Sequence, residues 1–228
     1  MTFAALSVNL ARVREEIAGI QAAARISGTV RIVGITKGHP RAAAEAAAEA
    51  GLEDVGENRI QEAVAKQDGG PPVPVRWHMV GHLQTNKAKH VPGRFWMVHS
   101  VDSIRIAKAL AEALDKVGER MRVLVQVNLS AEPQKSGCPP GEVASLVHRV
   151  GGLQALDPVG LMTMAPLTED EPVQREVFGD LRRLRDEVAT PELPLPELSM
   201  GMSGDYRAAV AEGATIVRLG TVLFGERR

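Results

Sequence analysis

The chain has 228 residues, 44% of them apolar and 24% charged, with 27 basic against 28 acidic side chains. That balance is ordinary for a globular protein and excludes a strongly basic nucleic-acid-binding face as the organising feature. The one cysteine, Cys138, excludes an internal disulfide and fits a reducing compartment, and no apolar run reaches the ~18 residues of a membrane span.

The start, Met1-Thr2-Phe3-Ala4-Ala5-Leu6, lacks the basic lead and continuous apolar stretch of a signal peptide. A cytoplasmic protein is therefore expected, with no membrane and no nucleic acid among its partners. Leu6, Leu10, Val13, Ile17, Ile20 and Ala24 then recur at spacings of 4, 3, 4, 3 and 4, one face of a helix. The β-branched run 31–36 reads as a buried strand. Residues 41–50, rich in Ala and Glu, predict a helix with Gly51 placed as its C-cap. Further strands are predicted at 54–58, 76–81, 96–102, 122–130, 158–164, 197–202 and 216–225. Helices are clearest at 103–117, 142–150, 173–188 and 205–212, and the Pro-rich passages 71–74 and 191–196 read as loops.

Strands separated by helices predict a parallel sheet, because parallel neighbours need crossover connections. Eight such repeats favour closure. The expected class is α/β: a single (β/α)8 TIM-type barrel domain over residues 1–228 with an extra N-terminal helix. An open doubly wound sheet is the alternative, and no Gly-x-Gly-x-x-Gly follows the first strand to support its dinucleotide-binding version.

Barrels of this kind place their chemistry at the C-terminal ends of the strands. Polar residues gather there: Thr36-Lys37, Glu57-Asn58-Arg59, His82, Ser100-Val-Asp102, Asn128-Leu-Ser130, Thr163 and Ser203. Gly201-Met-Ser203-Gly204 precedes a predicted helix, where unsatisfied N–H groups and the helix dipole favour an anion. Taken alone, Ser203 is equally well explained as an N-cap. Gly220-Thr221 forms a second Gly-hydroxyl turn on the adjacent strand, where such barrels often bind phosphate. Lys37 follows an apolar strand with no turn residue before it. Most strand-end lysines reach solvent. In an apolar site the amine has a lowered pKa and is available to form an imine with a carbonyl. A lysine and a phosphate cradle in one mouth fit an aldehyde-bearing phosphate ester, and pyridoxal 5′-phosphate is the cofactor that matches.

Other patterns point elsewhere. His78 and His82 are four apart, a span of roughly 13 Å on a strand, and are read as separate barrel-mouth residues with no metal between them. Cys138, in Lys135-Ser-Gly-Cys-Pro, has no evident paired base and is expected to be a surface or loop cysteine. Met162, Met164, Met200 and Met202 read as barrel packing, with one or two walling a ligand.

The chain resembles the pyridoxal-phosphate homeostasis proteins, single-domain relatives of the alanine racemase barrel (the YggS/PROSC family). The residues that carry this are Gly-Ile-Thr-Lys37, Gly56-Glu-Asn-Arg-Ile-Gln-Glu62 and Trp77-His-Met-Val-Gly-His-Leu-Gln-Thr-Asn-Lys87. They continue through Ser100-Val-Asp-Ser103, Val127-Asn-Leu-Ser130, Lys135-Ser-Gly137, Gly160-Leu-Met162, Leu198-Ser-Met-Gly-Met-Ser203 and Arg218-Leu-Gly-Thr-Val-Leu-Phe-Gly225. The resemblance implies a cofactor on Lys37, its phosphate on Ser203, Gly220 and Thr221, Asn58 beside the ring and Arg218 facing the pyridine nitrogen. Thr36-Lys-Gly-His-Pro40 departs from the family's usual Ser-Lys-Thr-Lys/Arg-Pro and lacks its basic residue at position 39.

The resemblance further implies storage or delivery of the cofactor, with apo pyridoxal-phosphate enzymes as partners and a monomeric carrier. The competing reading is a minimal amino-acid racemase. Racemisation needs a base on each face of the substrate carbanion, and the related racemases supply one from a second, all-β domain. With the chain ending at Arg228, such a domain is not expected. Tyr206, the one tyrosine, falls on the helix after the seventh strand, where packing explains it better. Arg218 argues the same way, because a pyridine nitrogen beside a guanidinium is a poorer electron sink than a pyridinium paired with a carboxylate. A phosphosugar aldolase with Lys37 as its imine lysine shares the site logic but has no assignable acid/base groups.

Overall fold

The structure, a computed structural model, describes residues 3–129 and 136–226. Its strands are β1 (Arg31–Ile35), β2 (Asp54–Glu57), β3 (Arg76–Met79), β4 (Met97–Val101), β5 (Met121–Gln126), β6 (Leu156–Met162), β7 (Glu197–Ser199) and β8 (Ile216–Leu219). They pair in parallel in chain order and close into a barrel, β8 returning to β1 through Arg31↔Ile216 to Gly34↔Leu219. The helices are α1 (Leu6–Ala24), α2 (Ala42–Glu49), α3 (Ile60–Asp68), α4 (Ile104–Asp115), α5 (Val143–Gly151), α6 (Glu171–Val188), α7 (Tyr206–Ala211) and α8 (Thr221–Phe224). A 3₁₀ turn, Thr85–His90, stands between β3 and β4. No described helix is long and apolar enough to cross a membrane.

The extra N-terminal helix α1 buries Leu6, Leu10, Val13 and Ile17 and packs on α7 and α8. Small side chains let α2 lie close to the barrel, with Ala43, Ala44 and Ala47 fully buried. The strands are shorter than their apolar runs. β8 ends at Leu219 because Val222-Leu-Phe224 belongs to α8, where Leu223 and Phe224 join the core between barrel and helices. Each fully buried side chain of this kind contributes about 1.5–3 kcal/mol.

Inside the barrel, alternate residues of each strand point inward. Val33, Ile35, Val80, Met97, Leu124, Met162 and Ile216 form the inner core. A line of polar residues runs through it: Asp54, His78, His99, Ser199 and Arg218 are all buried. At the N-terminal end of the strands Trp96 has the guanidinium groups of Arg31, Arg76 and Arg122 within 4.7, 4.9 and 5.0 Å of its ring centroid.

Two expectations are corrected here. His78 is not at the mouth: as the third residue of β3, opposite Gly56 of β2, it points inward and is fully buried. His82 lies past the end of β3, half exposed, 3.5 Å from Asp102. Cys138 is in a loop but not at the surface. Its backbone bridges to Val127, and burial pushes its thiol up to about 12. The thiol is thus protonated and inert at neutral pH.

Candidate functional site

At the C-terminal ends of the strands lies a cavity of about 240 Å³, bounded by Ile35 at the end of β1 and Lys37 beyond it, Asn58 after β2, and Val80, Gly81 and His82 after β3. Gln126 of β5, Ser136, Met164, Met202 and Arg218 of β8 complete it. This is small for a ligand pocket, where ~300–1,000 Å³ is usual, and suits a one-ring ligand. A larger groove of about 790 Å³ runs between the loops after β6 and β7 and shares Met202 with the cavity, but no described lysine lines it.

The turn that carries Lys37 is held from below. Gly38 has φ +72, the left-handed region that glycine adopts without strain. Its N–H donates to Glu62 Oε1, and the Thr36 hydroxyl donates to Glu57 Oε1. Lys66 Nζ donates to Glu57 Oε1 at 2.6 Å, Thr36 O at 2.7 Å and Glu62 Oε1 at 3.0 Å. Burial pushes the Glu57 carboxyl up, with Lys66 and Thr36 opposing, and Glu57 Oε2 is buried without a hydrogen bond. Breaking a buried pair leaves an uncompensated charge, so Lys66→Met should lower stability by ~3–5 kcal/mol in urea unfolding. A loss under about 1 kcal/mol would show that water replaces the ammonium without cost.

Asn58 depends on a glycine across the mouth: a Cβ on Gly81 would lie 2.2 Å from Asn58 O. Gln126 faces the cavity by the strand's alternation and donates from Nε2 to Ser136 O at 2.9 Å. Gly137 (φ +130) allows that return, since a Cβ there would lie 2.6 Å from Asn128 N. This gives Ser136-Gly137 of the Lys-Ser-Gly motif a structural role; Lys135 and Ser130 lie outside the described residues.

Arg218 donates from Nη1 to Ser199 Oγ at 2.7 Å and from Nη2 to Thr163 O at 2.8 Å. Burial pushes its guanidinium down to about 10, with Asp205 opposing, and it stays charged at neutral pH. On the neighbouring turn, Ser203 Oγ accepts from Gly220 N–H at 3.1 Å and Val222 N–H at 3.4 Å. Gly201 (φ +93) shapes the approach to Ser203, where a Cβ would lie 2.7 Å from Ala209 Cβ. Gly220 backs onto the cavity wall, 3.6 Å from Ile35 O to where its Cβ would be.

Of the six residues expected at the site, Lys37, Asn58 and Arg218 line one cavity, and Ser203 and Gly220 meet beside it. Thr221 opens α8 with its side chain exposed, and the N–H that joins Gly220 at Ser203 is that of Val222. Gln126, His82 and Ser136 also line the cavity, as do Met164 and Met202 of the four methionines. The inward parity of β5, counted from Leu124, was the available signal for Gln126. His39 occupies the position where the family has a basic residue. It is buried between Phe3 and Phe224, with ring centroids 5.7 and 5.8 Å away.

Comparison with known proteins identifies the family. Residues 8–228 match the family of the alanine racemase N-terminal domain. The pyridoxal phosphate homeostasis protein of Pseudomonas aeruginosa is 42% identical over 95% of this chain and 92% of its own. That of Aquifex aeolicus is 37% identical over 96% and 97%. PipY of Synechococcus elongatus, solved with PLP bound, superposes with a TM-score of 0.82 at 36% identity, covering 96% of this chain and all of its own. Alanine racemase of Clostridium difficile shares the fold, with a TM-score of 0.71 at 16% identity over 97% of this chain and 56% of its own. A closed eight-stranded barrel with this mouth, matched along almost its whole length, places the chain in the family of pyridoxal phosphate homeostasis proteins built on the alanine racemase N-terminal barrel.

Proposed function

We propose that residues 1–228 form one pyridoxal 5′-phosphate-binding unit that stores and delivers the cofactor, held as a Schiff base on Lys37, without efficient turnover. The observation that carries this reading is the convergence of Lys37 and Arg218 on one small cavity. The structure of PipY with PLP bound, from a relative 36% identical, supports the choice of cofactor. When bound, pyridoxal phosphate supplies an aldehyde that condenses with an amine and a ring that withdraws electrons.

The residues fit that group. Lys37 offers the amine at the cavity, whereas the Lys66 amine is hydrogen-bonded to two carboxylates and a carbonyl. The Ser203 hydroxyl and the N–H groups of Gly220 and Val222 offer convergent polar contacts for a phosphate, with Thr221 at the same turn. Asn58 stands at the side of the cavity for the ring. Arg218 donates and does not accept, so it leaves a ring nitrogen unprotonated and weakens the electron sink that racemisation needs.

Tyr206 does not serve as a second base. Its ring is buried, its hydroxyl donates to Glu16 of α1, and burial pushes it up to about 12. This supports a carrier over a minimal racemase. Apo pyridoxal-phosphate enzymes are the proposed acceptors, the cytoplasm the proposed location, and a monomer the proposed form. The test is Cα-proton exchange of alanine and a panel of amino acids in heavy water with the cofactor-loaded protein. Exchange no faster than that of free pyridoxal phosphate is expected. Rapid, stereochemically scrambling exchange that depends on Lys37 would establish a racemase instead.

A further inference from the structure

The polar line inside the barrel is one continuous hydrogen-bonded chain. Arg218 Nη1 meets Ser199 Oγ at 2.7 Å, and Ser199 Oγ meets His99 Nδ1 at 2.9 Å. His99 Nε2 meets His78 Nδ1 at 2.8 Å, and His78 Nε2 meets Asp54 Oδ1 at 2.9 Å. His78, His99 and Ser199 are fully buried, and Asp54 and Arg218 nearly so.

With both imidazoles neutral, the direction of every link is fixed. Arg218 only donates, and the Asp54 carboxylate only accepts. Ser199 Oγ therefore accepts from Arg218 and gives its own proton to His99 Nδ1. His99 donates from Nε2 to His78 Nδ1, and His78 donates from Nε2 to Asp54. Each neutral imidazole is then a single tautomer. Burial, the first cause at both, pushes His78 and His99 below the ordinary histidine range, in agreement. A proton added to either ring would make His99 Nδ1 a donor to Ser199 Oγ and turn the Ser199 hydroxyl proton away from the chain.

Asp54 is in turn held outside the cavity by Arg76, whose Nε and Nη2 donate to its two oxygens at 2.7 and 2.8 Å. The chain thus runs from the N-terminal rim of the barrel to the cavity at the opposite end. It keeps a lone pair of Ser199 turned toward Arg218, while Thr163 O takes a second N–H. With one anchor on β7 and the other directly after β6, the guanidinium presents its remaining N–H groups to the cavity in one orientation.

We propose that His78 and His99 are positioning residues, which act through Ser199 to fix Arg218 against the ring nitrogen of the bound cofactor. This rests on the cofactor reading above. A buried polar network that served only to fill the barrel would have no reason to be polarised end to end toward a cavity residue.

The test uses the full chain, its Asp54→Asn and Ser199→Ala variants, pyridoxal 5′-phosphate, and the analogue in which CH replaces the ring nitrogen. Asp54→Asn keeps shape but gives His78 a neutral partner at the far end; Ser199→Ala cuts the chain beside Arg218. Each variant is expected to weaken pyridoxal phosphate by about tenfold, one hydrogen bond's worth, and to shift the ring ¹⁵N resonance of the bound cofactor. Binding of the carbocyclic analogue should change little. Equal weakening of both ligands, or no change in either, overturns the proposal, because a merely structural chain would not distinguish them. If Asp54→Asn does not fold, the Ser199→Ala pair of affinities decides alone. Failure of the wild-type chain to take up pyridoxal phosphate at all would instead refute the cofactor reading, a result separate from these.

Discussion

Lys37→Ala is expected to abolish the visible absorption band that the protein acquires with pyridoxal phosphate. Among the described lysines, Lys37 alone lines the cavity. Lys66, the one buried lysine among the described residues, is bound to Glu57, Glu62 and Thr36 O and would have to give up all three to react. An amine must have a free lone pair to attack a carbonyl. Borohydride treatment of the loaded wild type should therefore fix the cofactor on the peptide that contains Lys37, and mapping that peptide is the direct measurement. The noncovalent contacts at Ser203, Gly220 and Arg218 would still hold some cofactor in Lys37→Ala, so the readout is the band and the reduced adduct rather than retention on a column. An unchanged band in the variant would move the imine elsewhere, with Lys135 the first lysine to test.

The same reasoning shows which parts of the molecule the sequence discloses. The β-then-α rhythm predicts the barrel because strand and helix periods differ and eight repeats leave a parallel sheet few alternatives. Lys37 and Asn58 could be placed at the mouth because they follow strand ends, where this architecture turns side chains toward it. Arg218 lies within β8, and its place at the mouth and the roles of Asn58 and Arg218 came from the family resemblance. Three kinds of feature were not legible. Strand ends such as that of β8 escape, since Val222-Leu-Phe224 is as apolar in α8 as it would be in a strand. The identity of a hydrogen-bond donor escapes when it is backbone: Val222 N–H reaches Ser203, while the more conspicuous hydroxyl of Thr221 does not. The inward face of a strand escapes when its residues are polar. His78 looked like a mouth residue because buried imidazoles are scarce, and only its partners Asp54 and His99, 24 and 21 positions away, make its burial affordable in energy.

Those two histidines make the stability of the protein steeply dependent on pH. His78 and His99 are neutral in the fold because burial pushes both below the ordinary value of 6.5. In the unfolded chain they take up protons as the pH falls through about 6.5. The unfolded state then binds more protons than the native one, so stability falls with pH, by about 1.4 kcal/mol per pH unit for each histidine once the unfolded chain is charged. The stabilisation is complete above the unfolded value and is lost as the pH falls toward the folded one. The groups around them set the balance. Asp54 raises His78, Arg31 and Arg76 lower it, and His78, Arg218 and Arg31 lower His99. Glu57 works against the trend, because its raised carboxyl takes a proton in the fold before it does in the unfolded chain. The net slope below pH 6 should thus lie between one and two histidines' worth, ~1.4–2.8 kcal/mol per pH unit, a large share of a typical 5–15 kcal/mol. Urea unfolding at intervals from pH 7.5 to 5.0 measures it, and His99→Gln, which removes one titrating group, should flatten the curve by about 1.4 kcal/mol per unit. A wild-type midpoint that holds constant across that range would mean that the barrel accepts the protons, and the fixed, neutral arrangement of the two rings would have to be given up.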